Sequence, residues 1–171
     1  MIYKLLGSLL LLGAGGYVSL AMHRFERRRL SVLDGYISLI SYIKGQIDCY
    51  AMPITDILAR TDPALIAACL GLDAPLSPHR AISPDRAEIH PLPTLIRESR
   101  LYLEPESERL LTTFTGELGA VFRAEQVARC DYYLEALTRQ RSKLAEALPA
   151  RLRVGSTLCM CCAVAATILL W

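Results

Sequence analysis

Two uncharged apolar runs, one near each end, constrain this chain more than any other feature. Residues 5–22 (LLGSLLLLGAGGYVSLAM) and 154–171 (VGSTLCMCCAVAATILLW) each hold 18 positions without Asp, Glu, Lys or Arg. As helix, each run is about 27 Å long, close to the ~30 Å hydrocarbon core of a bilayer. The expected organisation is a transmembrane helix over 1–22, a cytoplasmic helical region over 23–153 and a second transmembrane helix over 154–171. Ser19 and Ala21 have the small-residue spacing of a signal-peptide cleavage site, but the HRFERRR that follows opposes translocation of the chain beyond it.

Basic residues near a span stay on the cytoplasmic side. Arg24, Arg27, Arg28 and Arg29 follow the first run, Arg139, Arg141, Lys143, Arg151 and Arg153 precede the second, and Lys4 alone lies outside. The central region is thus expected in the cytoplasm with both termini across the membrane. It holds all 17 acidic residues and 18 of the 19 Lys and Arg, so it presents no field of one sign that would attract nucleic acid.

Six cysteines do not make a disulfide framework in such a chain. Cys49, Cys69 and Cys130 fall in a reducing compartment, and Cys159, Cys161 and Cys162 fall in the second apolar run. Neither set supplies the two C-x-x-C pairs of a structural zinc site, so all six are read as packing residues.

Between the runs the dominant period is helical. Leu30, Leu33, Ile37, Ile40 and Ile47, with Val32, Tyr36, Leu39 and Ile43 beside them, give a long helix a wide apolar face that continues from the first span. Pro53 opens a short helix over 54–60, and Thr61-Asp62-Pro63 caps another over 63–70 that Gly71 ends. Residues 72–93 carry Pro75, Pro78, Pro84, Pro91 and Pro93 and read as a solvated loop. Helix is expected again over 94–103, then from Pro105 to Gly119, and finally along Val127, Cys130, Leu134, Leu137, Leu144 and Leu148 up to Pro149. No segment alternates like a strand. The fold class expected is all-α: an antiparallel helical bundle flanked by an N-terminal and a C-terminal transmembrane helix.

Candidate chemistry is sparse. Gly116 and Gly119, in FTGELGAVFRAEQ, suggest either a backbone nest for phosphate or a joint between helices. Helical periodicity before them, and Ala120-Val121-Phe122 after them, favour the joint. His79, Asp85, Glu88 and His90 share the proline-rich loop, where nothing fixes a metal geometry. Ser77-Pro78 and Ser83-Pro84 are ordinary turn chemistry, and His23 lies at a membrane junction. No Ser, Cys and His form a nucleophile arrangement. No catalytic residue, cofactor or metal is expected. In the second run Gly155, Cys159, Ala163 and Thr167 recur every four residues, an edge on which another helix can approach closely, and Gly15 and Ser19 offer a matching edge in the first.

The opening MIYKLLGSLLLL, the segment YAMPITDILA and above all FTGELGAVFRAEQ resemble stage III sporulation protein AB of endospore-forming bacteria over nearly the whole chain. Phe114, Leu118, Gly119 and Gln126 match that family's pattern of phenylalanine, leucine-glycine and glutamine. Thr115 and Phe122 depart from it, where glycine and aspartate are usual. The resemblance implies a cytoplasmic bundle similar to one half of the platform protein F domain of type II secretion and type IV pilus systems. It implies a non-enzymatic subunit of the channel-like complex between mother cell and forespore, partnered by other subunits encoded in the same operon and by membrane lipid, and open to self-association. A platform subunit outside sporulation is the alternative from the same class, and a membrane-bound metal-dependent enzyme or sensor the rival from another.

Overall fold

The structure, a computed structural model, describes residues 2–50, 53–72, 91–120 and 122–170, without the side chains of 2–12, 91, 163, 169 and 170. The loop residues His79, Asp85, Glu88 and His90, both Ser-Pro pairs and the side chain of Ala163 therefore lie outside the described residues. The protein is all-helical, and there is no strand among the described residues. In order the helices are α1 (Ile2–Tyr50), α2 (Ile54–Ala59), α3 (Pro63–Cys69), α4 (Pro91–Ser99), a 3₁₀ turn (Arg100–Tyr102), α5 (Pro105–Glu117) and α6 (Arg123–Leu170).

Two elements differ from the sequence reading. α4 starts at Pro91 and not at Thr94, so Pro91 and Pro93 belong to its first turn. Amides in a first turn have no acceptor within the helix, so proline removes nothing there. α6 runs without a break through Pro149 and into the second apolar run. Proline at 149 removes one amide, the partner of the Ala145 carbonyl, and the helix on either side is long enough to tolerate that loss.

The short helices begin and end as their sequences direct. Asp62 caps α3 by accepting from the Ala64 amide at 2.8 Å, with Pro63 in its first turn. Gly71, at φ +67°, ends α3. Its amide bonds to the Ala68 carbonyl at 3.1 Å and the Leu72 amide to that of Ala67 at 3.0 Å, the paired bonds of a Schellman cap.

The chain divides into two compact units, Arg28–Lys143 and the pair of segments Met1–Arg27 with Leu144–Trp171. The first is a helical bundle. Val32, Leu33, Tyr36, Leu39, Ile40, Ile43 and Ile47 of α1 pack with Ile57 and Leu58 of α2, Cys69 of α3, Leu92 and Ile96 of α4, Leu111 and Phe114 of α5, and Cys130, Tyr133 and Leu137 of α6. The wide apolar face of α1 is thus covered by five other helices. α3 crosses α1 at Gly35, where a Cβ atom would stand 2.7 Å from the Ala68 carbonyl carbon and the Cys69 amide nitrogen.

Within this bundle α1 and α6 run antiparallel. Asp34 pairs with Arg141, Lys44 with Asp131 and Asp48 with Arg123, so rising numbers on one helix meet falling numbers on the other. One polar pair lies in the core: the Tyr36 hydroxyl is 2.7 Å from Ser99 Oγ, which also reaches the Leu95 carbonyl at 2.9 Å. Burial raises the Tyr36 pKa, so this tyrosine stays neutral.

The other unit consists of the N-terminal part of α1 and the C-terminal part of α6. Here a Cβ on Gly155 would come within 2.7 Å of Met22 Sδ, so the glycine admits the methionine side chain. Gly15, Ser19, Gly155, Cys159 and Thr167 are half-buried, while Tyr17, Val18, Leu20, Val154, Leu158, Val164 and Ile168 are exposed.

Candidate functional site

The turn from α5 to α6 brings together the four residues Phe114, Leu118, Gly119 and Gln126. α5 ends at Glu117 because Leu118 leaves the helical region at φ −66°, ψ 119°, and Gly119 follows at φ +85°. A positive φ of that size is strained for any residue with a Cβ. The Ala120 amide returns to the Glu117 carbonyl at 3.2 Å, and the Gln126 amide opens α6 on the Phe122 carbonyl at 2.8 Å.

Gln126 closes the turn. Its Oε1 accepts from the Gly119 amide at 3.1 Å, and the side chain is buried, 3% exposed. That bond fixes the amide orientation, since Oε1 must face the Gly119 N–H. Nε2 is the one buried side-chain polar atom without a hydrogen-bond partner among the described residues. Cys130, one helical turn further on, is fully buried, and burial pushes its thiol pKa up.

A second set of contacts secures the same corner. The Phe114 ring meets Tyr133 edge to face at 5.3 Å. The Tyr133 hydroxyl donates to Glu117 Oε2 at 3.0 Å, and Arg129 pairs with Glu117 at 3.1 Å and with Glu125 at 2.8 Å. Burial, and then the hydrogen bond to Glu117, push the Tyr133 pKa up to about 12. Leu118 is half-buried against the core.

This geometry is a helix joint and not a phosphate cradle. A nest needs successive amides facing outward, whereas the Gly119 and Ala120 amides are already satisfied and Gly116 lies inside α5. Gly116 has open space where a Cβ would go. Sequence reasoning found the positive-φ glycine from its place at a helix end. It did not find Gln126 as the acceptor, nor Glu117, Arg129 and Tyr133 as a group, because those partners lie 7 to 16 residues apart and share no helical period across the turn.

The two buried thiols of the bundle are held neutral. Burial pushes Cys69 up to about 12, so like Cys130 it is a neutral packing group at ordinary pH. All six cysteines are free. Among the described residues there is no group of three or more His, Cys, Asp and Glu that could hold a metal ion.

Fold and site together define an all-helical protein in which the described polar groups of the corner lock one helix against another. No protein-family model, curated protein or solved structure matches the chain.

Proposed function

We propose that this protein is a non-enzymatic, membrane-anchored structural subunit of the channel-like complex between mother cell and forespore in endospore formation. A span at each end, over 1–22 and 154–171, holds the 23–153 bundle on the cytoplasmic side of the mother-cell membrane. Its partners are the other subunits encoded in the same operon, and membrane lipid surrounds the spans.

The observation that carries this reading is the apolar surface of the C-terminal part of α6. The helix Arg123–Ile168 is long and apolar enough to cross a membrane, and its apolar window is not buried in the molecule. Val154, Leu158 and Ile168 are each more than 60% exposed. Leaving such surface in water costs about 25 cal/mol per Å², whereas lipid removes that penalty. On α1, Tyr17, Val18 and Leu20 are exposed in the same manner. The closed corner at Gly119 and Gln126 supports a static assembly role, and gives the leucine-glycine and glutamine positions of the family pattern a common purpose.

Deletion of the coding sequence in the source organism tests the proposal. Heat-resistant spore counts should collapse while vegetative growth is unchanged. Normal sporulation with lost secretion or piliation would move the protein to a platform outside sporulation. Loss of function on replacing His79 and His90 together by alanine would instead favour a metal-dependent enzyme or sensor.

A further inference from the structure

We propose that Arg24, Arg27 and Arg153 form a collar that binds the phosphate headgroups of anionic phospholipids, an inference that rests on the membrane reading above. The three arginines belong to the unit built from the N-terminal part of α1 and the C-terminal part of α6. All three are exposed, and among the described residues none of their side chains has a carboxylate partner. In the bundle, Arg29, Arg100, Arg123, Arg129, Arg139 and Arg141 each pair with an Asp or Glu of the chain, while Arg60, Arg97 and Arg109 are exposed at scattered positions on three different helices or their ends.

Its position gives the unpaired charge a partner. Met22 meets Gly155 across the two helices, which sets the last apolar layer of α1 level with the first apolar layer of α6. Arg24 lies two residues beyond Met22, and Arg153 two residues before Gly155. At the helical rise, both sit about 3 Å past that layer and Arg27 about 7.5 Å past it. The interfacial region of a bilayer is about 5–8 Å thick on each side of the hydrocarbon core. Guanidinium groups from two helices thus fall at one depth, the depth of lipid phosphate, which they bind in bidentate fashion. Charge complementarity selects anionic over zwitterionic headgroups.

The full chain, purified in mild detergent, is titrated with phosphatidylglycerol or phosphatidylcholine and lipid occupancy is read by native mass spectrometry. Phosphatidylglycerol should bind more than about ten-fold tighter, and each of Arg24→Gln, Arg27→Gln and Arg153→Gln should weaken it about five-fold, leaving phosphatidylcholine unchanged. Arg139→Gln, on the bundle, should leave the preference intact. Equal affinity for the two lipids, a triple variant that keeps the preference, or displacement by millimolar inorganic phosphate would overturn the collar. Carbonate extraction separates the two readings. A chain retained in the membrane pellet yet without lipid preference overturns the collar alone, whereas release into the supernatant overturns the membrane reading with it.

Discussion

Gln126 Oε1 accepts a hydrogen bond from the Gly119 amide at 3.1 Å, so the first turn of α6 caps the end of α5. The glycine contributes a backbone conformation and the glutamine an acceptor, and neither closes the corner alone.

Gly119→Ala should therefore destabilise the folded protein by about 1 kcal/mol or more, because φ is +85° and a Cβ would also stand 2.9 Å from Ile54 Cδ1. Gly116→Ala, inside α5 with open space around it, should stabilise by about 0.5–1 kcal/mol. Gln126→Met keeps the volume but removes the acceptor, and should cost about 1–3 kcal/mol with faster hydrogen exchange at the Gly119 amide. Denaturant melts of the full chain in detergent check the order of the three; equal losses at both glycines would contradict the joint.

A second pair of glycines on α1 should separate in the same way. Gly35→Ala pushes a methyl group into the backbone of α3, 2.7 Å from the Ala68 carbonyl carbon. Such overpacking costs about 1–3 kcal/mol and outweighs the gain in helix propensity, about 1 kcal/mol, only when α3 cannot retreat. Cys69 in the core, and Gly71, where a Cβ would stand 2.9 Å from Val32 Cγ2, tie the end of α3 to α1, so net destabilisation is expected. Gly45, with nothing within 4 Å, should gain stability on replacement by alanine.

Stability should fall at alkaline pH. Cys69 is pushed up to about 12 from 9.0 and Tyr133 up to about 12 from 10.0, both chiefly by burial. Each group holds its proton in the folded state and releases it more readily when unfolded. The stabilisation is complete below the unfolded values and is lost as pH rises toward 12. Denaturant midpoints should be level from neutral pH to about 9 and then decline; Cys69→Ala should make the decline shallower, while Cys130, also raised by burial from 9.0, keeps its start in place. A midpoint that stays constant to pH 12 would exclude this linkage.

In the paired apolar segments, Gly155→Leu should weaken assembly or protein level, because the glycine admits the side chain of Met22. Ala165→Leu, at an exposed position, should be tolerated. Equal tolerance at matched expression would mean that the C-terminal part of α6 packs without a specific partner.

Orientation can be read from cysteines. Cys49 is exposed on the bundle while Cys69 and Cys130 are buried. An impermeant thiol reagent should label Ile2→Cys in intact cells and reach Cys49 only after permeabilisation. The reverse order would invert the topology.

What the sequence by itself determined is local. The apolar faces of α1 and α6, the caps at Asp62 and Gly71 and the stop at Gly119 follow from residue types at fixed spacing, since capping and helical periodicity act over one or two turns. The tertiary structure decided what lies across the bundle: that Gly35 is a crossing point whereas Gly45 is open, that Tyr36 meets Ser99, that Gln126 reaches Gly119, and that Arg141, an interruption of the apolar pattern of α6, pairs with Asp34. It also decided where proline could be accommodated, in the first turn of α4 and within the long α6. These relationships join residues up to 107 positions apart. A one-dimensional pattern carries each partner separately, and only packing sets the distance between them.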